Sequence, residues 1–569
     1  MKKSIIITKT SLLALLINLI LFAGCGKNET PPEDIIPPVM NSITITGQEN
    51  AYDVTIGFSQ GVFRLPNSLG DLGQQSFIVE VTGGTALLQN LVVMHTAGQK
   101  SALIRMQLSG QVSGDELVSV RPFNGNSIFN ASGRPMDASE VRSISVSGIE
   151  HQTVYVKDEG GGTGTVTWAA NNTYVLDGFV FVNEGQVLTI EAGTVVKGKA
   201  GKGENASALI VARGGRILAE GTATMPIIFT AEADDLNGSV SDTDSGLWGG
   251  VILLGKALIN TDPGEQHVEG IPPSEPRGLY GGDNDQDDSG VLRYVSIRHG
   301  GTDIGEGNEI NGLTLGGVGN RTVIEYVEVF SNMDDGIEIF GGAASLKYII
   351  SAFCGDDAYD YDQGYHGRGQ FWLGVQGFNR GDRLGEHDGG TNPVDGMPLA
   401  IPMICNATYV GQPAGAGTRA VTFRKNAGGH YVNSIFYQQA FGIDVELELS
   451  ECSYDRWQNG QLSLLNNLFY LINDNTLISI MPGEGVNGEM VSEANEKLSA
   501  DFIANGNVVQ DPGFELNGLT FDVIPAKDVS ENMGPYPPDP WFEDAGFKGA
   551  FGPATNWAAG WSLFSKYMN

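Results

Sequence analysis

Tyr326-Val327-Glu328-Val329 leads to Asp334-Asp335-Gly336-Ile337-Glu338, and 22 residues later Tyr348-Ile349-Ile350-Ser351 leads to Asp356-Asp357-Ala358-Tyr359-Asp360. The two passages superpose residue on residue. A third copy lies upstream, where Tyr294-Val295-Ser296-Ile297 leads to Asp303 and Glu306 at an offset of 32. A repeat of roughly 20–30 residues built on short β-rich segments marks a solenoid, whose coils bury their apolar faces only by stacking. Stacked coils hold equivalent residues about 4.8 Å apart. Tyr294, Tyr326 and Tyr348 then form one ladder, Asp303, Asp335 and Asp357 a second, and Glu306, Glu338 and Asp360 a third. Carboxylates at that spacing either take up protons or hold a cation. Calcium is the expected cation, with Asp303, Asp335, Glu338, Asp356, Asp357, Asp360 and Asp362 as its candidate ligands.

The coil is written most plainly at Ala208 to Ala231. Ala208-Leu209-Ile210-Val211 is one strand, Gly214-Gly215 a corner, Arg216-Ile217-Leu218-Ala219 a second strand, and Pro226 to Thr230 a third. Three strands per turn with glycine corners describe a right-handed parallel β-helix, expected over 160–515. Tyr431 to Tyr437 resumes the pattern with Gln439 and Ala440 where the acidic pair would stand, so the acid ladder is local. Ser492 to Asn505 reads as a helix capped by Ser492, with Ala494, Leu498 and Phe502 on one face.

Ahead of the solenoid, residues 39–150 alternate apolar and polar over six short segments, Ser42 to Thr46, Asp53 to Phe58, Ser76 to Thr82, Ala102 to Leu108, Leu117 to Arg121 and Val141 to Val146. That pattern predicts a β-sandwich. The segments Val54 to Ser59 and Asn130 to Pro135 resemble bacterial immunoglobulin-like modules, which implies a spacer or interaction domain. The fold class is therefore all-β, an immunoglobulin-like β-sandwich followed by the β-helix.

The chain of 569 residues carries a net charge of -34, and 79 of its residues are glycine. Nucleic acid is excluded as a partner, because its recognition needs a basic footprint. Lys2 and Lys3 precede an apolar run from Ser11 to Phe22, and Phe22-Ala23-Gly24-Cys25 is similar to a lipoprotein cleavage box. Residues 1–24 are thus expected to be a signal peptide and Cys25 the site of lipidation, tying the chain to the membrane. The proline-rich stretch 25–38 reads as a tether. Cys354, Cys405 and Cys452 remain, too few for a disulfide framework; at most one bridge forms within the chain.

A second acidic loop, Asp283-Asn284-Asp285-Gln286-Asp287-Asp288, has acids at alternate positions like the opening of a calcium loop. It lacks the Gly and Glu of an EF-hand, at Asp288 and Tyr294, so Asp283, Asp285 and Asp287 are a possible second metal loop outside that class. His366 and His387 read as loop hydrogen-bonders.

Trp248-Gly249-Gly250, Asp334-Asp335-Gly336-Ile337-Glu338, Asp362-Gln363-Gly364, Gly369-Gln370-Phe371-Trp372, Asp388-Gly389-Gly390, and the closing Gly549-Ala550-Phe551-Gly552, Asn556-Trp557 and Gly560-Trp561 form a specific set. With these motifs the chain from 165 to 569 resembles outer-membrane lipoproteins of the Bacteroidetes. The resemblance implies a location at the outer membrane and, for some members, nutrient uptake beside a TonB-dependent receptor. Residues 516–569, with Trp541, Trp557 and Trp561, read as an aromatic tail along or across the end of the β-helix, with a carbohydrate-stacking platform as the alternative.

Three functions fit. In the first, the calcium-stiffened acidic patch and the aromatic residues Tyr359, Tyr361, Tyr365 and Trp372 bind a glycan. In the second, the chain is a polysaccharide lyase with Arg368 or Lys347 as base, or a glycoside hydrolase with paired carboxylates. In the third, the stacked acids and calcium hold the coils of an adhesin or surface-layer component together.

Overall fold

The computed structural model describes residues 36–568, apart from 49, 85, 111, 113–115, 147–151, 306–307, 378–379, 413–417, 474–475, 518–519 and 554. The expected signal segment, Cys25 and Glu306 lie outside the described residues. The chain divides into two compact units, one within residues 1–146 and the other essentially residues 147–569.

In the first unit, Met40–Gln48, Ala51–Phe58, Ser101–Ser109 and Leu87–Met94 form one antiparallel sheet, and Phe77–Thr82, Leu117–Pro122 and Arg142–Ser145 a second. Strict alternation makes the sandwich core, with Val54, Ile56, Ile104, Met106, Val118 and Val120 all buried. The edge strand Leu87–Met94 alternates exposed and part-buried residues with none fully buried, and the alternation slips at the bulge between Leu88 and Asn90.

In the second unit, successive coils stack into two large parallel sheets, of 18 and 10 strands among the described residues. Each coil enters the 10-stranded sheet once, as at Val251–Leu254, Leu313–Gly316, Ile337–Phe340, Tyr359–Asp362, Arg383–Asp388 and Arg419–Arg424. The remaining two passes run through the 18-stranded sheet, and in several coils they join as one long strand such as Val323–Phe330 or Ser345–Ala352. Val, Ile and Leu from every coil fill the interior, which continues unbroken from Trp168 to Phe502.

The joint inside each long strand is a residue in the left-handed region. Tyr294, Tyr326, Tyr348 and Phe371 hold it with φ of 50°, 55°, 60° and 58°, and Asn406, Asn433 and Asn466 hold it in later coils with φ of 54–56°. Ladder pairing skips each of these residues, so their side chains project together. Tyr294, Tyr326 and Tyr348 stack with centroids 4.4 Å apart at each step, and Phe371 continues the column at 4.8 Å.

The helix runs from Gly488 to Ala504, longer than the periodicity predicted, and its cap is Asn487, whose side chain accepts from the N–H groups of Glu489 and Met490. Ala494, Leu498 and Phe502 are buried against the last coil. Cys354, Cys405 and Cys452 are free and buried. Among the described residues no helix is long and apolar enough to cross a membrane.

Candidate functional site

In a strand of the 10-stranded sheet, alternate residues point into the coil and out of it. Tyr359 and Tyr361 take the inward positions and Asp360 and Asp362 the outward ones. Pairing places Thr314, Glu338, Asp360 and Glu386 on one outer row, continued by Thr422 and Asp444. A second outer row runs through Phe340, Asp362, Asp388 and Arg424.

At the entrance to the strands, Asn311, Asp335 and Asp357 form a different ladder. Asn311 Oδ1 accepts the N–H of Asp335 at 3.2 Å, and Asp335 Oδ1 accepts the N–H of Asp357 at 2.8 Å. One oxygen of each side chain is thus committed to joining coils.

Asp335, Glu338 and Asp360 converge, each offering an oxygen within 4.8 Å of the others. Asn311 Nδ2 donates both to Glu338 and, at 3.1 Å, to Glu269. Asp360 Oδ1 is buried without a donor. Burial pushes Asp335, Glu338 and Asp360 well above the usual carboxylate range, and the neighbouring acids push them further. Asp362, also raised by burial, reaches about 6.

Several acids farther along the face, Glu386, Asp388 and Asp444, are paired with cations. Arg383 pairs with Asp357, Asp382 and Glu386 at 3.7, 2.6 and 2.6 Å. Arg424 pairs with Glu386 and Asp388, Lys425 with Asp388 at 2.7 Å, and Arg419 with Asp444. Among the described residues no Lys or Arg forms an ion pair with Asp335, Glu338 or Asp360. Asp356 joins two further acidic groups, one with Asp334 and Asp335 and one with Asp357 and Asp382, and the Arg383 guanidinium lies in the second of these.

Several expected site residues are corrected. Asp303 lies in an inserted hairpin, Asp303–Gly305 against Asn308–Glu309, and pairs with Lys202 at 3.7 Å. The insertion breaks the offset of 32 that the tyrosines keep, so the coil neighbours of Asp335 and Glu338 are Asn311 and Thr314. The row also extends beyond the gap expected at Gln439 and Ala440, through Asp444.

Tyr359, Tyr361, Tyr365 and Trp372 are each no more than 1% exposed and cannot meet a ligand. Their polar atoms donate to the carbonyls of Leu373, Gly428, Ala344 and Leu346 inside the coil. Lys347 and Arg368 stand on the other sheet, under the C-terminal segment, where Lys347 donates to Trp541 O at 2.6 Å and Arg368 to Asp539 at 2.7 Å. Neither serves the acid row as a base.

In the loop Asp283 to Asp288, Asp285 and Asp287 are bonded to the backbone of the coil beside it, and Asp288 pairs with Arg216 at 2.7 Å. Asp285 accepts from Leu258 N–H at 3.0 Å and faces His366 Nε2 at 3.1 Å, and Asp287 accepts from Lys256 N–H at 3.1 Å. Asp283, Asp285 and Asp287 are not among the converging acidic groups of the described residues. His387 is an interior residue stacked 3.9 Å from Tyr361, and burial pushes it down to about 3.

Glu269, Arg383, Glu386 and Arg424 belong to the site although the repeat did not reveal them. Glu269 arrives from a distant excursion, and the spacing of 26 from Asp360 to Glu386 departs from the repeat of 22.

An outer row of acids on one sheet of a solenoid defines a parallel β-helix protein with a charged lateral face. Residues 160–515 match the family described as the pectate-lyase like β-helix domain, and the chain belongs to that family. Two solved structures are similar over most of their length at 10% identity. The catalytic unit of the thermostable GH87 α-1,3-glucanase from Streptomyces thermodiastaticus strain HF3-3 covers 83% of this chain and 95% of its own, with a TM-score of 0.18. The Family 28 exopolygalacturonase of Yersinia enterocolitica covers 79% and 88%, with a TM-score of 0.14. No curated protein matches the sequence.

Proposed function

We propose that the acidic face binds calcium at Asp335, Glu338 and Asp360 and, through the exposed side of that ion, a glycan bearing carboxylates. The observation that carries the reading is the contrast along one face. Glu386, Asp388 and Asp444 are paired with Arg383, Arg419, Arg424 and Lys425, whereas Asp335, Glu338 and Asp360 converge with no ion pair among the described residues and with Asp360 Oδ1 lacking a donor. The donor set is all oxygen, which suits a hard cation and not a thiolate- or imidazole-seeking metal. When bound, the cation supplies positive charge to an otherwise repulsive surface and open positions for sugar oxygens. Asn311 holds Glu338 and Glu269 in place, and Arg383 and Arg424 orient Glu386 beside the site. The family to which the chain belongs, pectate-lyase like by description, supports a carbohydrate-related role. A lipid on Cys25 would hold the face at the outer membrane, where a TonB-dependent receptor is the expected partner for uptake.

The test is a pair of measurements on wild type and on an Asp335→Asn, Asp360→Asn variant: thermal melting with calcium or chelator, and retention on polygalacturonate. Wild type should lose melting temperature and retention in chelator, and the variant should be indifferent to it. A variant that melts, binds and responds to chelator as wild type does would sink the reading.

A second reading is a glycoside hydrolase. The proximity of Glu269 to Glu338 favours it, because burial and that neighbouring acid raise the Glu338 carboxyl, and a carboxyl that retains its proton can act as general acid. The oxygens of Asp335, Glu338 and Asp360 lie within 4.8 Å, closer than the roughly 6.5–9.5 Å that inverting pairs leave for water. Release of reducing ends that disappears in Glu338→Gln would establish it; uncleaved polymer after prolonged incubation would remove it.

A further inference from the structure

A cavity of about 390 Å³ opens at the corner that follows the first strands of the 10-stranded sheet, within the roughly 300–1,000 Å³ of small-molecule sites. Three successive coils supply it. Glu184 follows Phe179–Val182, Arg213 follows Ala208–Val211, and Lys256 follows Val251–Leu254. The excursion that packs Val268, Ile271 and Tyr280 on the outer face of this sheet contributes Pro276, Arg277 and Leu279.

The charges in the cavity are matched. Lys256 Nζ donates to Glu184 Oε1 at 2.7 Å, and Arg213 pairs with Glu265 while donating to Gly281 O at 2.9 Å. Arg277 is wholly committed to the wall. Its Nε and Nη2 donate to Glu275 at 2.8 and 2.7 Å, its Nη1 to Asp158 at 2.6 Å, and its guanidinium lies 3.9 Å from the centre of the Phe181 ring. What remains for a ligand is the second oxygen of Glu184 and the further N–H groups of Lys256 and Arg213.

Donors and acceptors side by side, with each cation already neutralised, suit the vicinal hydroxyls of a sugar better than a phosphate or sulfate, which would find no net positive charge. Pro276 and Leu279 give the C–H face of a sugar ring an apolar wall. We propose that this cavity is a saccharide subsite, holding a sugar residue through hydroxyls on Glu184, Lys256 and Arg213 with no metal involved. It rests on the reading that the ligand of this chain is a glycan, and it adds a contact several coils away from Asp335, Glu338 and Asp360.

The test is saturation-transfer NMR on the full chain in chelator, with cellotetraose, laminaritetraose and tetragalacturonate as probes. At least one should receive saturation from wild type, and Lys256→Met and Arg213→Ala should each weaken its binding by about tenfold. Two variants on different coils, each checked for a wild-type melt, separate lost contact from lost folding. The proposal is overturned if no probe receives saturation, or if both variants bind as wild type does. Calcium-dependent retention on polygalacturonate that persists without any signal in chelator would fail the subsite alone. A signal in chelator with no calcium-dependent retention would fail the cation reading alone.

Discussion

At the scale of single residues, the consequence of strand alternation is sharpest in Tyr359-Asp360-Tyr361-Asp362. Two rings enter the core and two carboxylates reach the outer face, so neighbours in sequence serve unrelated purposes. The same scale holds a buried cation with no ion pair among the described residues, Lys548, which is 1% exposed and which burial pushes down to about 8. Its unfolded value is near 10.4, so between about pH 8 and 10.4 the unfolded chain binds more protons than the folded one. The burial penalty is therefore fully present below pH 8 and fades as pH rises through that window. Lys548→Met should raise the melting temperature at pH 7, and the gain should shrink towards pH 10; a gain that stays constant across that range would assign it to packing instead.

At the scale of elements, the column Tyr294, Tyr326, Tyr348 and Phe371 shows how a left-handed residue is tolerated at every coil. The conformation costs a non-glycine residue about 1–2 kcal/mol, and each stacked aromatic pair returns about 0.5–1.5 kcal/mol. Later coils meet the same demand with Asn406, Asn433 and Asn466, whose short polar side chains favour it. Tyr326→Asn keeps the backbone preference and removes two stacked pairs, so denaturant unfolding should show a loss of about 1–3 kcal/mol. No loss would mean that the column forms without stabilising the coils. Asn487→Ala at the start of the helix should cost about 1 kcal/mol in the same measurement. An unchanged midpoint would show that the amides of Glu489 and Met490 find water as good a partner.

At the scale of the whole molecule, the C-terminal segment runs along the outside of the 18-stranded sheet. Trp557 and Trp561 pack edge-on against the tyrosine column, and Glu328, wholly buried, accepts the N–H groups of Leu563 and Phe564 at 2.8 and 2.7 Å. Asn406, Asn433 and Gln370 hydrogen-bond it from three further coils. A chain ending at residue 515 should melt lower and bind a hydrophobic dye, since an apolar cluster and a buried carboxylate lose their cover. Identical melting and no dye binding would make the segment dispensable. The acidic face adds a pH dependence. In chelator, the raised carboxyls of Asp335, Glu338 and Asp360 keep protons that the unfolded chain has released, so stability should fall as pH rises above about 4. Calcium should restore more stability at pH 8 than at pH 5, and an equal effect at both would contradict ion binding there.

The sequence by itself determined the solenoid, the tyrosine column, the sandwich strands other than Leu87–Met94, and the stacking of Asp335 on Asp357 and of Glu338 on Asp360. All of these follow from a local periodicity, of two in the strands and of one coil in the solenoid. Only the tertiary structure decided which acids share a site. The hairpin at Asp303–Gly305 shifts the register, Glu269 reaches the face from an excursion outside the repeat, and Lys347 and Arg368 are carried to the opposite sheet. A repeat specifies what stacks on what. Corners, excursions and the direction of each side chain decide what faces what, and those depend on the packed coil as a whole.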